Sequence, residues 1–103
     1  MNFFADVKNN LPEEEFLPLA SSERVKIERI VSTGHQSPEE FWYDQENNEW
    51  VLVLAGCGVI EFEDGRVIDL NPGDYLNIPA YQKHRVKETS PNEPTIWLAV
   101  HYK

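Results

Sequence analysis

The sequence predicts an all-β fold in which about eight short strands form a small barrel or sandwich. From residue 24 onward, β-branched and aromatic residues recur in short runs, and no helical periodicity is sustained over a longer window. Turn residues separate these runs at regular intervals. The chain has 103 residues, of which 41% are apolar, and this size fits one domain with one core.

The β-rich runs follow one another closely along the chain. They are residues 24–32, 40–44, 49–55, 58–63, 66–70, 75–79, 84–89 and 95–102. Asp64-Gly65 predicts a two-residue hairpin turn, because both positions of such a turn favour positive φ. The stretch 71–74, Asn-Pro-Gly-Asp, predicts a type II turn with proline at the second position and glycine at the third.

The first 23 residues differ in composition from the remainder. Pro12 is followed by three glutamates at 13–15, a pattern typical of the first turn of a short helix, and Pro18 is expected to end that helix. We therefore expect an N-terminal segment with a short helix over 1–23 and a β-barrel domain over 24–103.

Two of the predicted strands are apolar on both faces. In 49–55, strand alternation places Val51 and Val53 on one face and Trp50 on the other, and 95–102 has the same character. Such strands need cover on both sides. The barrel interior supplies one cover, and a second subunit is expected to supply the other, so the sequence predicts a homodimer.

Charge and cysteine content exclude several classes of function. The formal net charge of -9 disfavours binding to nucleic acid or to an anionic membrane surface. No stretch approaches the roughly 20 apolar residues of a membrane span. The N-terminus has no secretory signal pattern, and the single cysteine, Cys57, precludes an intramolecular disulfide. We expect a cytoplasmic protein.

Two polar residues fall on apolar strand faces. His84 alternates with Val86, and Glu49 alternates with Val51 and Val53. A buried imidazole without a hydrogen-bonding partner costs about 1–3 kcal/mol, and an unpaired buried carboxylate costs more. His84 and Glu49 are therefore expected to satisfy each other inside the barrel.

The spacing around these residues resembles the conserved motifs of the cupin superfamily. The second cupin motif is glycine, five residues, proline, one residue, glycine, two residues, histidine, and the matching positions are Gly73, Pro79, Tyr81 and His84. The run from Glu49 to Gly56 resembles the end of the first motif. The resemblance extends from about residue 25 to the C-terminus. It implies a double-stranded β-helix, a small jelly-roll barrel, like that of small single-domain bacterial cupins without an assigned reaction.

The chain departs from the cupin pattern at the positions that carry chemistry. The first motif supplies two histidines ahead of its glutamate, and the corresponding residues here are Tyr43 and Gln45. Tyr81 occupies the position of a motif glycine, and Lys87 that of the closing asparagine.

The resemblance implies a small-molecule site formed by Tyr43, Gln45, Glu49 and His84, and three interpretations of it are open. In the first, Gln45, Glu49 and His84 weakly hold a divalent Fe, Mn, Ni or Zn ion, with modest affinity because amide oxygen is a poor ligand for these ions. His101 would add an imidazole if its face of the last strand turned inward, and both alternations of that strand are compatible with the sequence.

The second interpretation is a metal-free enzyme similar to cupin sugar epimerases. His84 would act as the base, Glu49 would orient it, and Tyr43 would be the acid. The third is a non-catalytic dimeric binding module. The sequence does not decide whether the protein is an enzyme, and the substrate does not follow from the fold.

Overall fold

Two antiparallel β-sheets form the fold, seen in a computed structural model that describes residues 1–103. One sheet has five strands in the order β1-β2-β8-β3-β6, and the other has three in the order β5-β4-β7. The all-β jelly-roll prediction is confirmed. The strands are β1 (Glu15–Ser21), β2 (Val25–Ser32), β3 (Asn48–Ala55), β4 (Gly58–Phe62), β5 (Val67–Leu70), β6 (Tyr75–Ile78), β7 (His84–Thr89) and β8 (Thr95–Tyr102).

The predicted N-terminal helix is wrong. Glu15–Ser21 is an edge strand that pairs antiparallel with β2, from Glu15 opposite Val31 to Ser21 opposite Lys26. Pro12 and Pro18 leave too few residues between them for the costly nucleation of a helix. The ladder with β2 offers those residues hydrogen bonds instead, and Pro18 is tolerated there because the strand is at an edge and has a bulge.

The predicted strand at 40–44 is also wrong. Only Tyr43 pairs, through an isolated bridge in which its N–H donates to the His84 carbonyl (2.7 Å) and its carbonyl accepts from the His84 N–H (3.1 Å). Beyond it, the Gln45 carbonyl accepts a hydrogen bond from the Tyr81 N–H at 2.7 Å. The backbone polar groups here are thus satisfied by single contacts with a loop rather than by a ladder.

The turns agree closely with their sequence signals. Asp74 N–H donates to the Asn71 carbonyl (2.8 Å) and Gly73 has φ 93°, as a type II turn requires. The hairpin at Asp64-Gly65 forms, but only Gly65 has positive φ, 99°. It is a three-residue loop, 63–65, closed by a glycine bulge rather than a two-residue turn: Gly65 N–H donates to the Phe62 carbonyl (3.0 Å) and Phe62 N–H to the Arg66 carbonyl (2.9 Å).

A closed apolar core fills one end of the barrel. Trp97 lies directly against Gly58, where no Cβ fits, and its Nε1 donates to Ser32 Oγ at 3.2 Å. This packing forms the floor beneath the site described below. The core residues are Val51, Val53, Ile60, Phe62, Leu70, Ile78, Trp97 and Ala99.

The outer face of the five-stranded sheet is covered only in part. Arg29 on β2 is buried there, with Nη1 donating to the carbonyls of Phe3 (3.1 Å) and Ala5 (2.7 Å). The N-terminal residues therefore cover the β1–β2 side of the face. The structure contains no helix long and apolar enough to cross a membrane.

Candidate functional site

A cavity of about 90 Å³ lies between the two sheets, above the apolar core. No lysine or arginine lines it. Tyr43, Gln45, Glu49 and His84, the residues singled out from the sequence, all line this one cavity. The full set of ionisable or hydrogen-bonding side chains around it is Glu14, Glu28, Tyr43, Gln45, Glu49, His84, Trp97 and His101.

The backbone before β7 positions His84. Tyr81, which stands where the family motif has glycine, adopts the left-handed conformation with φ 64°. The chain therefore keeps the turn that glycine normally provides, although a non-glycine residue pays about 1–2 kcal/mol for it. Two hydrogen bonds stabilise this turn: Tyr81 N–H to Gln45 O and Gln82 N–H to Pro79 O.

The His84 ring has a hydrogen-bond acceptor on each side. Nδ1 lies 2.9 Å from the Gln82 carbonyl, which only accepts, so Nδ1 carries a proton. Nε2 lies 3.5 Å from Glu49 Oε1, an ion-pair distance rather than a short hydrogen bond. Gln45 Nε2 also approaches Glu49 Oε1, at 3.5 Å. Glu49 is thus held between an amide and an imidazole.

This environment favours the protonated form of His84. Burial lowers the pKa of His84, but hydrogen bonds to Glu49 and to the Gln82 carbonyl, together with the negative charge of Glu49, raise it more. The net pKa lies above the ordinary 6.5. A ring flanked by two acceptors is best satisfied when both nitrogens carry protons.

Tyr43 lies against the same ring. Its phenol ring stacks on the His84 imidazole with centroids 5.6 Å apart. Burial raises the pKa of Tyr43 above 10.0, and the charges of Glu14 and Glu49 raise it further. The phenol therefore keeps its proton near neutral pH and is able to donate a hydrogen bond to a molecule in the cavity.

A second imidazole–carboxylate pair lines the cavity, and the sequence did not reveal it. His101 Nε2 lies 2.8 Å from Glu28 Oε1, and Lys26 Nζ lies 3.4 Å from Glu28 Oε2. Glu28 is 4% exposed. The inward face of β8 carries Trp97, Ala99 and His101, so His101 faces the barrel interior.

Period-two alternation did not select this face of β8, because both faces of the strand are apolar. Glu28 alternates with Ile30 and Ser32 on β2, a charged residue in line with a buried face. That pattern was the available signal that Glu28 is buried. Its partner is identified only by the antiparallel register of β2 with β8, which pairs Glu28 with Ala99 and Lys26 with His101 and so brings His101 next to Glu28.

The residues present do not fit a resident metal ion. The chain contains no group of three or more His, Cys, Asp or Glu side chains arranged to hold one. Of the set Gln45, Glu49 and His84, the glutamine directs Nε2 toward the carboxylate, and the His84 nitrogens face acceptors rather than an open position. Tyr43 and Gln45 occupy the positions at which the first cupin motif has its two histidines.

The fold and the motif residues define the class of protein. The sequence pattern of the family described as Cupin domain matches residues 28–101, which is more than half of the chain. The chain therefore belongs to the cupin domain family.

Several solved structures are similar to this chain. A protein from Ralstonia eutropha JMP134, described as a proposed mannose-6-phosphate isomerase, is 47% identical, with a TM-score of 0.97 over 100% of this chain and 96% of that one. A cupin superfamily protein from Desulfitobacterium hafniense DCB-2 is 24% identical, with a TM-score of 0.77 over 93% of this chain and 83% of that one. A Streptococcus pyogenes protein of unknown function is 16% identical, with a TM-score of 0.78 over 100% and 85%.

The last two similarities show the fold alone. A search of the curated proteins found no match.

Proposed function

We propose that this cupin binds a small molecule in the barrel cavity and exchanges a proton with it through the His84–Glu49 pair, without a resident metal. The observation that carries the proposal is the His84 ring, which faces the Gln82 carbonyl on one side and the Glu49 carboxylate on the other. These acceptors make Nε2 a proton donor. Tyr43 adds a second donor against the same ring.

The character of the cavity supports an isomerase of hydroxy-carbonyl compounds. Isomerisation of this kind needs a proton donor at the carbonyl oxygen and a group that moves a proton between adjacent carbons, and it needs no redox cofactor. The Ralstonia relative is described as a proposed isomerase of a sugar phosphate, which belongs to this reaction class. At 47% identity over the whole chain, that likeness favours the same class here.

The surroundings of the cavity suit a substrate with a neutral reacting end. No lysine or arginine lines the cavity, so a phosphate group is poorly matched inside it. A larger groove of about 460 Å³ adjoins the cavity and shares His101 with it. Its charged lining consists of three basic residues, Arg24, Lys26 and Lys103, and two acidic ones, Glu23 and Glu28. A phosphate or carboxylate on the distal end of the substrate fits this groove.

Solvent deuterium incorporation tests the proposal. The protein, treated with EDTA and dialysed, is incubated in D₂O with mannose 6-phosphate, fructose 6-phosphate, mannose and fructose, and carbon-bound deuterium is followed by NMR. We expect incorporation at C1 or C2 of at least one sugar, and a loss of about 100-fold or more in His84→Gln. The proposal is contradicted if none of the sugars binds or exchanges. It is also contradicted if untreated protein catalyses exchange and the EDTA-treated protein does not.

We also propose that the protein is a homodimer and that a second copy covers the outer face of the five-stranded sheet. Trp50, Leu52, Leu98 and Val100 are only half-buried on this face, and the register places Val100 opposite Trp50 and Leu98 opposite Leu52. One contiguous apolar surface of this kind is suited to an isologous contact.

Sedimentation velocity at micromolar concentration tests the dimer. We expect a dimer for the natural chain and a monomer for Leu98→Glu, which places a carboxylate at the centre of the apolar surface. Lys87→Glu, an exposed change on β7 of the other sheet, is the matched control and should stay dimeric. A monomer for the natural chain would refute the proposal.

We also propose a cytoplasmic location, because the single free thiol, Cys57, fits a reducing compartment.

A further inference from the structure

The proposed function does not use the His101–Glu28 pair, in which Glu28 is buried and His101 is half-buried. It differs from an exposed surface ion pair, because Glu28 is buried. The Glu28 carboxylate contacts both His101 Nε2, at 2.8 Å, and Lys26 Nζ, at 3.4 Å. Burial of a carboxylate is costly and is tolerated when it is paired. A purely structural site of this size would be filled more favourably by apolar side chains, as the closed end of the barrel is.

The two imidazoles enter the cavity from opposite sheets. His84 begins β7 of the three-stranded sheet, and His101 lies near the end of β8 in the five-stranded sheet. The β3–β8 register places His101 directly opposite Glu49, the partner of His84. A molecule in the cavity therefore lies between the His84 imidazole on the wall of the three-stranded sheet and the His101 imidazole on the wall of the five-stranded sheet, which also carries both carboxylates, Glu28 and Glu49.

The two imidazole rings differ in which of their nitrogens carry protons. Glu28 is a hydrogen-bond acceptor for His101, so Nε2 of His101 carries a proton and the neutral ring has its lone pair on Nδ1. Nδ1 makes no hydrogen bond within the chain and is not a buried atom. His84 is the reverse case, since both of its nitrogens face acceptors. One ring is arranged to donate a proton and the other to accept one.

His101 also lies at the opening of the cavity. His101 and Glu28 line both the cavity and the adjoining groove, together with Phe16 and Gln45. A substrate whose charged end lies in the groove and whose reacting end lies in the cavity must pass His101.

We propose that His101, oriented by Glu28, is the second proton-transfer residue, and that the site interconverts a 2-hydroxyaldehyde and the matching hydroxyketone. This inference rests on the proposed function and adds the residue that moves the carbon-bound proton. The substrate class is a short aldose or ketose with an anionic group at the far end.

The proton transfers balance without a further reactant. His101 Nδ1 takes the proton from the hydroxyl-bearing carbon, the electron pair of that C–H bond becomes the double bond of an enediol, and the carbonyl oxygen takes a proton from His84 Nε2. In the return step, His101 gives its proton to the former carbonyl carbon. His84 takes the proton of the other hydroxyl, whose oxygen becomes the new carbonyl. Nothing is oxidised or reduced overall.

The test compares three variants in the D₂O experiment with mannose 6-phosphate and fructose 6-phosphate. His101→Gln keeps a side-chain N–H that donates to Glu28 but removes the basic nitrogen. Glu28→Gln keeps an acceptor for His101 but removes the charge. His35→Asn is the matched control, because His35 lies outside the cavity and the asparagine oxygen replaces the Nδ1 that accepts from Thr33 N–H.

We expect His101→Gln to lower deuterium incorporation by about 100-fold or more through kcat, with KM, sugar binding by NMR and the thermal midpoint nearly unchanged. Glu28→Gln should lower kcat by a smaller factor, and His35→Asn should match the natural protein. A merely structural pair would leave kcat per folded molecule unchanged in both His101→Gln and Glu28→Gln, whatever the change in stability.

The outcomes separate the two proposals. An active natural protein with equal kcat in His101→Gln overturns the role of His101 and leaves the proposed function standing. A natural protein that neither binds nor exchanges any of the sugars overturns the proposed function itself, and this inference with it. Should His101→Gln fail to fold, Glu28→Gln decides the matter by its kcat.

Discussion

The two imidazole–carboxylate pairs in the cavity use the same residue types in different surroundings. His84 is 6% exposed in its side chain, is fixed from behind by the Gln82 carbonyl, and meets Glu49 at 3.5 Å. His101 is 16% exposed and meets Glu28 at 2.8 Å, with its other nitrogen unbonded. The number of acceptors around a ring, rather than its residue type, decides whether it donates or accepts a proton.

The pairs also differ in what holds them in place. A regular strand register positions His101 and Glu28, so their contact follows from the β2–β8 ladder. A strained loop residue and a single bridge to Tyr43 position His84. Changes in the backbone before β7 should therefore alter the first pair and leave the second intact.

The largest effect is expected from removing His84. His84→Ala leaves the Glu49 carboxylate buried without its imidazole, which should lower the free energy of unfolding by about 3 kcal/mol. Urea denaturation at pH 6 measures it. The double variant His84→Ala/Glu49→Gln should recover part of the loss, because the buried charge is gone. If the double variant is no more stable than the single one, Glu49 is not the partner of His84.

A smaller effect is expected at the second pair. Glu28→Gln keeps a hydrogen bond to His101 but loses its charge and the ion pair with Lys26, so the free energy of unfolding should fall by about 1.5 kcal/mol. The same urea series measures it. Glu63→Gln removes an exposed carboxylate whose ion pair with Lys83 is 3.7 Å long and should change stability by less than about 0.5 kcal/mol. Equal losses in Glu28→Gln and Glu63→Gln would show that the second pair is not a buried interaction.

The pH dependence of stability should report on the His84–Glu49 pair. Because the folded pKa of His84 is raised above 6.5, its contribution is fully present below pH 6.5 and is lost as pH rises through the folded pKa. For this one group the slope does not exceed about 1.4 kcal/mol per pH unit. Urea midpoints from pH 5.5 to 9 measure it. The decrease above pH 6.5 should shrink in Glu49→Gln, and an undiminished decrease there would contradict the assignment to His84.

The smallest effect is expected at Tyr81. Tyr81→Gly relieves a left-handed conformation that costs about 1–2 kcal/mol, partly offset by the greater freedom of glycine in the unfolded chain. We expect a net gain of about 0.5 kcal/mol in thermal or urea unfolding. Tyr81→Ala, which keeps the Cβ and the strain, is the control and should show no gain. Loss of stability in Tyr81→Gly would mean that the tyrosine side chain, rather than its backbone, supports the loop.

The fold was largely predictable from local signals. Turn residues such as Gly73, and the alternation in β3, fixed most strands within a residue or two. The errors fell where tertiary pairing overrides local preference. Residues 15–21 carry the proline and glutamate pattern of a helix start but complete the sheet edge beside β2, and 40–44 has strand-forming residues but no neighbouring strand beyond His84.

The site was predictable only in part. Tyr43, Gln45, Glu49 and His84 were found by alternation and motif spacing, and the structure brings them to one cavity. The His101–Glu28 pair was beyond such reasoning, because it depends on which of two apolar faces of β8 turns inward. That choice follows from the packing of Trp97 against Gly58, two residues that are distant from Glu28 in the sequence.

The most direct test of the central claim is the titration of the His84 ring by long-range ¹H–¹⁵N NMR in metal-stripped protein, before and after addition of one equivalent of Zn²⁺. The account predicts a midpoint above 6.5, protons on both ring nitrogens below it, and no change with zinc. A midpoint at or below 6.5, or displacement of the Nε2 proton by zinc, would contradict the claim that Glu49 and the Gln82 carbonyl hold His84 as a proton donor.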